Sequence, residues 1–230
     1  MKAILSVGIA ALAMIATPAV AKDRAGSVQV KVLGTGVLPD GKIDVKGVDT
    51  GTALGAAAAG ITTPFDTEAN DNVVPTVAIE YFFTDNLSVE TICCMTQHDI
   101  DGTGALAGAE MVSNARVIPA TFTAKYHVDA GAIKPYVGVG ATYFLWVSDK
   151  PGAFTVPLGI TDTDLSDEFG FVLQGGVDIP LGEGGFGLSL DAKKYFVDTT
   201  ARWYEGSALA LESEHKLDPW VLSAGVTFSF

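Results

Sequence analysis

From residue 25 to the last residue, the chain places apolar side chains at every second position in runs of about 11–15 residues. A period of two belongs to β-strands, whose successive side chains point to opposite faces of a sheet. Eight such runs are legible: 26–37, 73–84, 87–97, 116–128, 134–148, 167–180, 185–199 and 217–230. In the last, Trp220, Leu222, Ala224, Val226, Phe228 and Phe230 share one face, while Ser223, Gly225, Thr227 and Ser229 lie on the other. Gly, Asp, Asn and Pro separate the runs, as turns require.

The connections alternate in length. Asp85-Asn86, DAGAI and LGEGG are short; 38–72, 98–115, 149–166 and 200–216 are long. An even strand count with short turns at one end and long loops at the other is the layout of a bacterial transmembrane β-barrel. The expected fold is therefore all-β: an eight-stranded antiparallel transmembrane barrel with short periplasmic turns and long extracellular loops. Closure follows from the solvent, since an open sheet edge in lipid leaves backbone groups unpaired. Alternation alone also suits a soluble sandwich, but aromatic residues near the strand ends (Tyr81, Phe83, Tyr126, Phe186, Trp220, Phe230) favour interfacial girdles. On this reading Val77, Ile79, Tyr81, Phe83, Phe122, Tyr126, Phe169, Phe171 and Leu173 face out. Thr76, Ala78, Glu80, Thr121, Thr123, Lys125, His127, Val172, Gln174 and Asp178 face in. The stretch ALGAAAAG (53–60) in the first long connection is either a short helix or a mobile segment.

The N-terminus has Lys2, an apolar run from Ala3 to Ala16, and an Ala-x-Ala site ending at Ala21. That is a secretory signal, too short to span a bilayer. We expect cleavage after Ala21, with residues 22–230 forming one barrel domain. The net charge of −13 and the absence of a basic stripe exclude nucleic acid as a partner. The acidic residues Asp162, Asp164, Asp167 and Glu168 read as solvated loop charge, with a divalent-cation site as the alternative. Cys93 and Cys94 are adjacent, which disfavours a disulfide and gives too few ligands for a metal, so no metal or cofactor is expected. His98, His127 and His215 form no evident serine–histidine–acid grouping, and no enzyme is expected.

The inward charges are Lys31, Glu80, Glu90, Lys125, Asp178, Asp191 and Lys193, nearly all close to a short turn or, for Lys31, to the start of the barrel. Ions in a narrow lumen must be paired, so they are expected to interlock as a charged periplasmic plug. Packing polar residues simply for stability is the competing explanation. The outer half carries Leu33, Ile92, Phe144, Trp146 and Val172 inward, an apolar lumen with an aromatic constriction. Pro75 and Pro119 each remove a ladder donor and are expected weak points in the wall.

Taken in order, VVPTVAIEYFFTDNLSVE (73–90), RVIPATFTAKYHV with KPYVGVGATYF (116–144), SLDAKKYFVDTTA (189–201) and LDPWVLSAGVTFSF (217–230) resemble the outer membrane protein W (OmpW) family of small barrels. The alanine-rich patch and Cys93-Cys94-Met95 depart from that pattern. The resemblance implies a place in the outer membrane of a Gram-negative bacterium. It also implies passive uptake of small hydrophobic molecules, which leave sideways through the wall. Outer-membrane lipids and lipopolysaccharide are the expected partners, with the assembly machinery reading the C-terminal Phe228 and Phe230. The alternative is a closed structural barrel that acts through its extracellular loops.

Overall fold

The computed structural model describes residues 24–182 and 184–230, without the side chain of Cys93; the expected signal segment, 1–21, lies outside them. In chain order the strands are β1 (Val28–Leu38), β2 (Lys42–Val48), β3 (Phe65–Ala69), β4 (Asn72–Phe82), β5 (Leu87–Cys93), β6 (Thr96–Gly104) and β7 (Glu110–His127). They continue as β8 (Lys134–Pro151), β9 (Asp162–Leu165), β10 (Glu168–Pro180), β11 (Phe186–Phe196), β12 (Asp198–Glu205), β13 (Ala208–Lys216) and β14 (Trp220–Ser229). One helix, α1 (Ala53–Ala59), occupies the alanine-rich patch, capped by the Thr52 hydroxyl on the Gly55 amide.

Eight strands close the barrel in the order β1-β4-β5-β7-β8-β10-β11-β14, and β14 pairs back with β1. Every pairing is antiparallel. The short turns are built by side chains. Thr84 Oγ1 accepts from the Asn86 and Leu87 amides, and Asn86 Nδ2 donates to the His127 carbonyl at 2.7 Å.

The long connections are not bare loops. β2, β13, β12 and β9 form a second sheet above the barrel, and β3 and β6 extend the β4/β5 hairpin alongside an overlong β7. The alternation continues there with its polarity inverted. In the barrel, Ile79, Phe122, Val137, Phe169 and Phe171 are exposed while Lys31, Glu80 and Lys125 are buried. Above it, Asp198 is exposed and Arg202 and Glu212 pair on the outer face, while Ala201, Trp203 and Leu211 are buried. The outer face meets lipid below and water above, so the same backbone period carries opposite chemistry. The long connections read as loops in the sequence because their strands lack the continuous apolar outer face of the barrel strands.

The upper strands enclose a core of Leu54, Met111, Val112, Ile160, Leu165, Trp203 and Leu211, with Trp203 Nε1 donating to the Met111 carbonyl at 3.1 Å. We refer to this extracellular part as the cap. It joins the barrel at a kink where Asp218, with φ of 32°, accepts the Val197 amide on Oδ1 and the Lys194 ammonium on its carbonyl.

Candidate functional site

The strand parity brings Lys31, Glu80, Glu90, Lys125, Asp178, Asp191 and Lys193 into the lumen, all buried. They form one network. Lys31 Nζ reaches Glu80 at 3.0 Å, Glu90 at 3.2 Å and Asp178 at 3.3 Å. Lys125 Nζ reaches Glu80 at 2.8 Å and Glu90 at 2.9 Å. Lys193 Nζ reaches Glu90 at 3.1 Å and Asp191 at 2.7 Å. Glu90 meets all three lysines and so ties the group together.

Neutral side chains complete it. Ser88 and His127 Nε2 approach Glu80 Oε1 at 2.5 and 2.7 Å. Gln174 Nε2 donates to Glu90 Oε1 at 2.9 Å and to Asp191 Oδ2 at 2.6 Å. Tyr136 donates to Asp191 Oδ2 at 2.7 Å and offers its ring to Lys125, 3.8 Å from the centroid. Its phenol fits because position 176 is glycine: a Cβ there would stand 2.4 Å from the Tyr136 hydroxyl oxygen. On the periplasmic side Arg24 lies 3.8 Å over the Phe82 ring and 3.6 Å from Asp178 Oδ2. The network thus holds four carboxylates against three ammonium groups and one guanidinium.

Tyr136 and Arg24 were not among the expected site residues. Tyr136 was legible, since it shares its parity with Phe144 and Trp146 on β8; Arg24 precedes the first strand, where no period constrains it.

Above the network lies a narrow, mostly apolar cavity that opens to solvent. Leu33, Ile92, Phe144 and Trp146 line it; Val172 is not at its surface but is buried in the wall against Phe144 and Tyr195. Ile100 and Ala115 belong both to its lining and to the cap core, which makes that core its roof.

The wall beside the cavity is interrupted. β4 pairs with β5 only as far as Val77↔Cys93, so the stretch from Asn72 to Thr76 pairs with β1 alone within the named ladders. β5 leaves β7 at Ile92↔Thr121 and β6 resumes at Thr96↔Val117, so the named ladders along β7 do not include Cys93, Cys94 and Met95, and Cys94 and Met95 lie outside both strands. Pro119 faces this gap from β7 and lines the cavity; Pro75 stands on the outer face of β4. Cys94, half-buried, lines the cavity at the gap and does not continue the strand. Asn72 Nδ2 spans the seam to the Gln97 carbonyl at 2.8 Å. Val73, Val77 and Met95 around it are exposed and apolar, while Arg116 donates to Gln97 Oε1 at 2.8 Å on its upper side.

A second join, between β8 and β9, is held by carboxylates. Asp167 Oδ1 accepts the Trp146 amide at 2.8 Å and Asp149 Oδ2 the Leu165 amide at 2.6 Å, while Asp164 lies 3.5 Å from Arg202. At the other end, Phe228 meets Phe186 edge-to-face with ring centroids 5.3 Å apart, and Phe230 is exposed.

The profile described as the OmpW family matches residues 24–230. An outer-membrane protein of Sinorhizobium fredii, y4mB, is 34% identical over 203 residues, covering 88% of this chain and 79% of its own. Outer membrane protein W of Vibrio cholerae is 26% identical, covering 74% and 79%. Among solved structures, the outer membrane protein OprG of Pseudomonas aeruginosa superimposes with a TM-score of 0.76 at 21% identity, covering 90% of this chain and 97% of its own.

Proposed function

The chain belongs to the OmpW family of Gram-negative outer-membrane barrels, and from that premise we propose that it is a passive channel for small hydrophobic molecules. The observation that carries the reading is the stacking of three features: an apolar cavity, an interlocked ionic network beneath it, and a seam of missing ladder beside it flanked by exposed apolar side chains. An apolar solute in the cavity cannot descend cheaply, because it would separate buried ions from their partners. Between Pro75 and Pro119 the wall lacks part of its ladder, and the solute leaves there into the outer leaflet. The way in runs through or beside the cap. Trp146 and Phe144 narrow the passage, and Lys31, Glu80, Glu90, Lys125, Asp178, Asp191 and Lys193 act as the plug. Lipopolysaccharide surrounds the cap, and Phe228 and Phe230 form the segment taken up by the assembly machinery.

The test is uptake of a small apolar fluorophore into liposomes carrying the refolded barrel, beside a charged solute of similar size. Apolar uptake that falls at least several-fold in Trp146→Asp supports the channel. No uptake above empty liposomes would overturn it in favour of a closed barrel acting through its cap.

A further inference from the structure

The three lysines of the network are not equally satisfied. An ammonium has three hydrogens to place. Lys31 has three carboxylate partners; Lys125 has two and the Tyr136 ring. Lys193 has only Glu90 and Asp191, which leaves one N–H without a protein partner among the described residues. It is also the one charged residue of the network that lines the apolar cavity. Beside it on β11, inward like Lys193, the Tyr195 hydroxyl has a single long contact, 3.4 Å to Thr121 Oγ1, and lines the same cavity. Two donor groups therefore stand side by side at the floor of a space with a mostly apolar surface, while Thr76 Oγ1 and Trp146 Nε1, also in its lining, are further polar atoms without a hydrogen-bond partner among the described residues. A saturated hydrocarbon would leave the third Lys193 N–H without an acceptor and the Tyr195 hydroxyl with only its long contact to Thr121, which is costly once water is excluded.

We propose that this floor is a head-group site for a neutral aliphatic molecule ending in one hydroxyl or carbonyl oxygen. The oxygen accepts from Lys193 Nζ and the Tyr195 hydroxyl, and the chain lies along Leu33, Val117, Phe144 and Trp146. This refines the uptake reading above and rests on it. Neutrality follows from the charge count. The network already balances four carboxylates with four cations, so a ligand carboxylate would bring an uncompensated anion beside Glu90 and Asp191. An oxygen without charge satisfies the donors and leaves the balance intact.

The test is competition of octanol, octane and octanoate against an apolar fluorophore bound to the refolded barrel in lipid nanodiscs. It compares wild type, Tyr195→Phe, and Lys193→Met combined with Asp191→Asn. The double variant removes one cation and one anion together. Folding of each is checked by the shift between unboiled and boiled samples on a denaturing gel. The readout is the ratio of octanol to octane affinity, which cancels general changes in cavity shape. It should fall about fivefold in Tyr195→Phe, the worth of one neutral hydrogen bond, and tenfold or more in the double variant. Octanoate should compete less well than octanol. A ratio unmoved in both variants, or octanoate the better competitor, overturns the head-group site while leaving the uptake reading in place. Failure of the fluorophore and all three ligands to bind wild type overturns both.

Discussion

Lys125 shows what a single residue inside this wall must satisfy. Its ammonium is buried against Glu80, Glu90 and the Tyr136 ring. Truncation to Met leaves two carboxylates short of a cation, and removing one partner of a buried ion pair costs about 3–5 kcal/mol. Lys125→Met should lose that much in urea unfolding of the refolded barrel, whereas an exposed lysine such as Lys46 should lose less than about 1 kcal/mol. In the cap, burial holds His215 down to about 4, between Thr67 and Ser213, while Asp66 acts weakly in the other direction. The folded cap keeps this imidazole neutral, but the opened chain protonates it near its ordinary value of about 6.5. The stabilising term is complete above about 6.5 and is lost as pH falls from there toward about 4. Protease nicking within 198–216 should therefore rise on acidification across that window, and His215→Gln should flatten the dependence. The seven inward charges were legible one by one from parity. Their partners were not, because a period of two fixes which face a side chain occupies and says nothing about its height along a tilted strand.

Among the elements, the seam between β4 and β5/β6 is the informative one. Pro75 and Pro119 stand beside it, and a missing N–H is written in the residue itself. The break at Cys94-Met95 was not legible, since the sequence runs through 87–97 without a turn residue to mark it. The side chain of Asn72 carries the bridge across the gap. Asn72→Ala should raise amide exchange at Met95–Gln97 about fivefold, in line with one lost hydrogen bond, and should leave the β10/β11 ladder unchanged; hydrogen exchange read by mass spectrometry decides it. The upper strands escaped the sequence reading for a different reason. In 198–216 the alternation is intact, but Asp198, Arg202, Glu212 and Glu214 occupy the face that lipid covers lower down, so the segment resembles a solvated loop. A reader who expects the outer face to change solvent along one strand can find them.

At the scale of the whole molecule the chain is one barrel in two solvents, with its polarity reversed where β11 passes into β12 and β13 into β14. The cap core would be severed by emptying its largest member: Trp203→Ala should cost about 3–5 kcal/mol. Because the cap and barrel have separate cores, that loss should appear as earlier cap proteolysis with the heat-modifiable barrel still intact on a denaturing gel.

The equality of charge inside the lumen has a consequence for electricity. Four fixed anions cancel four fixed cations across a narrow cross-section that holds no continuous water path in the proposed mechanism, so neither sign of mobile ion gains from entering. A bilayer holding many copies would carry no steady current under voltage. Under the proposed uptake mechanism an organism could then crowd its surface with this protein and leave its salt gradients untouched, and an electrode would register nothing even as apolar solute crossed.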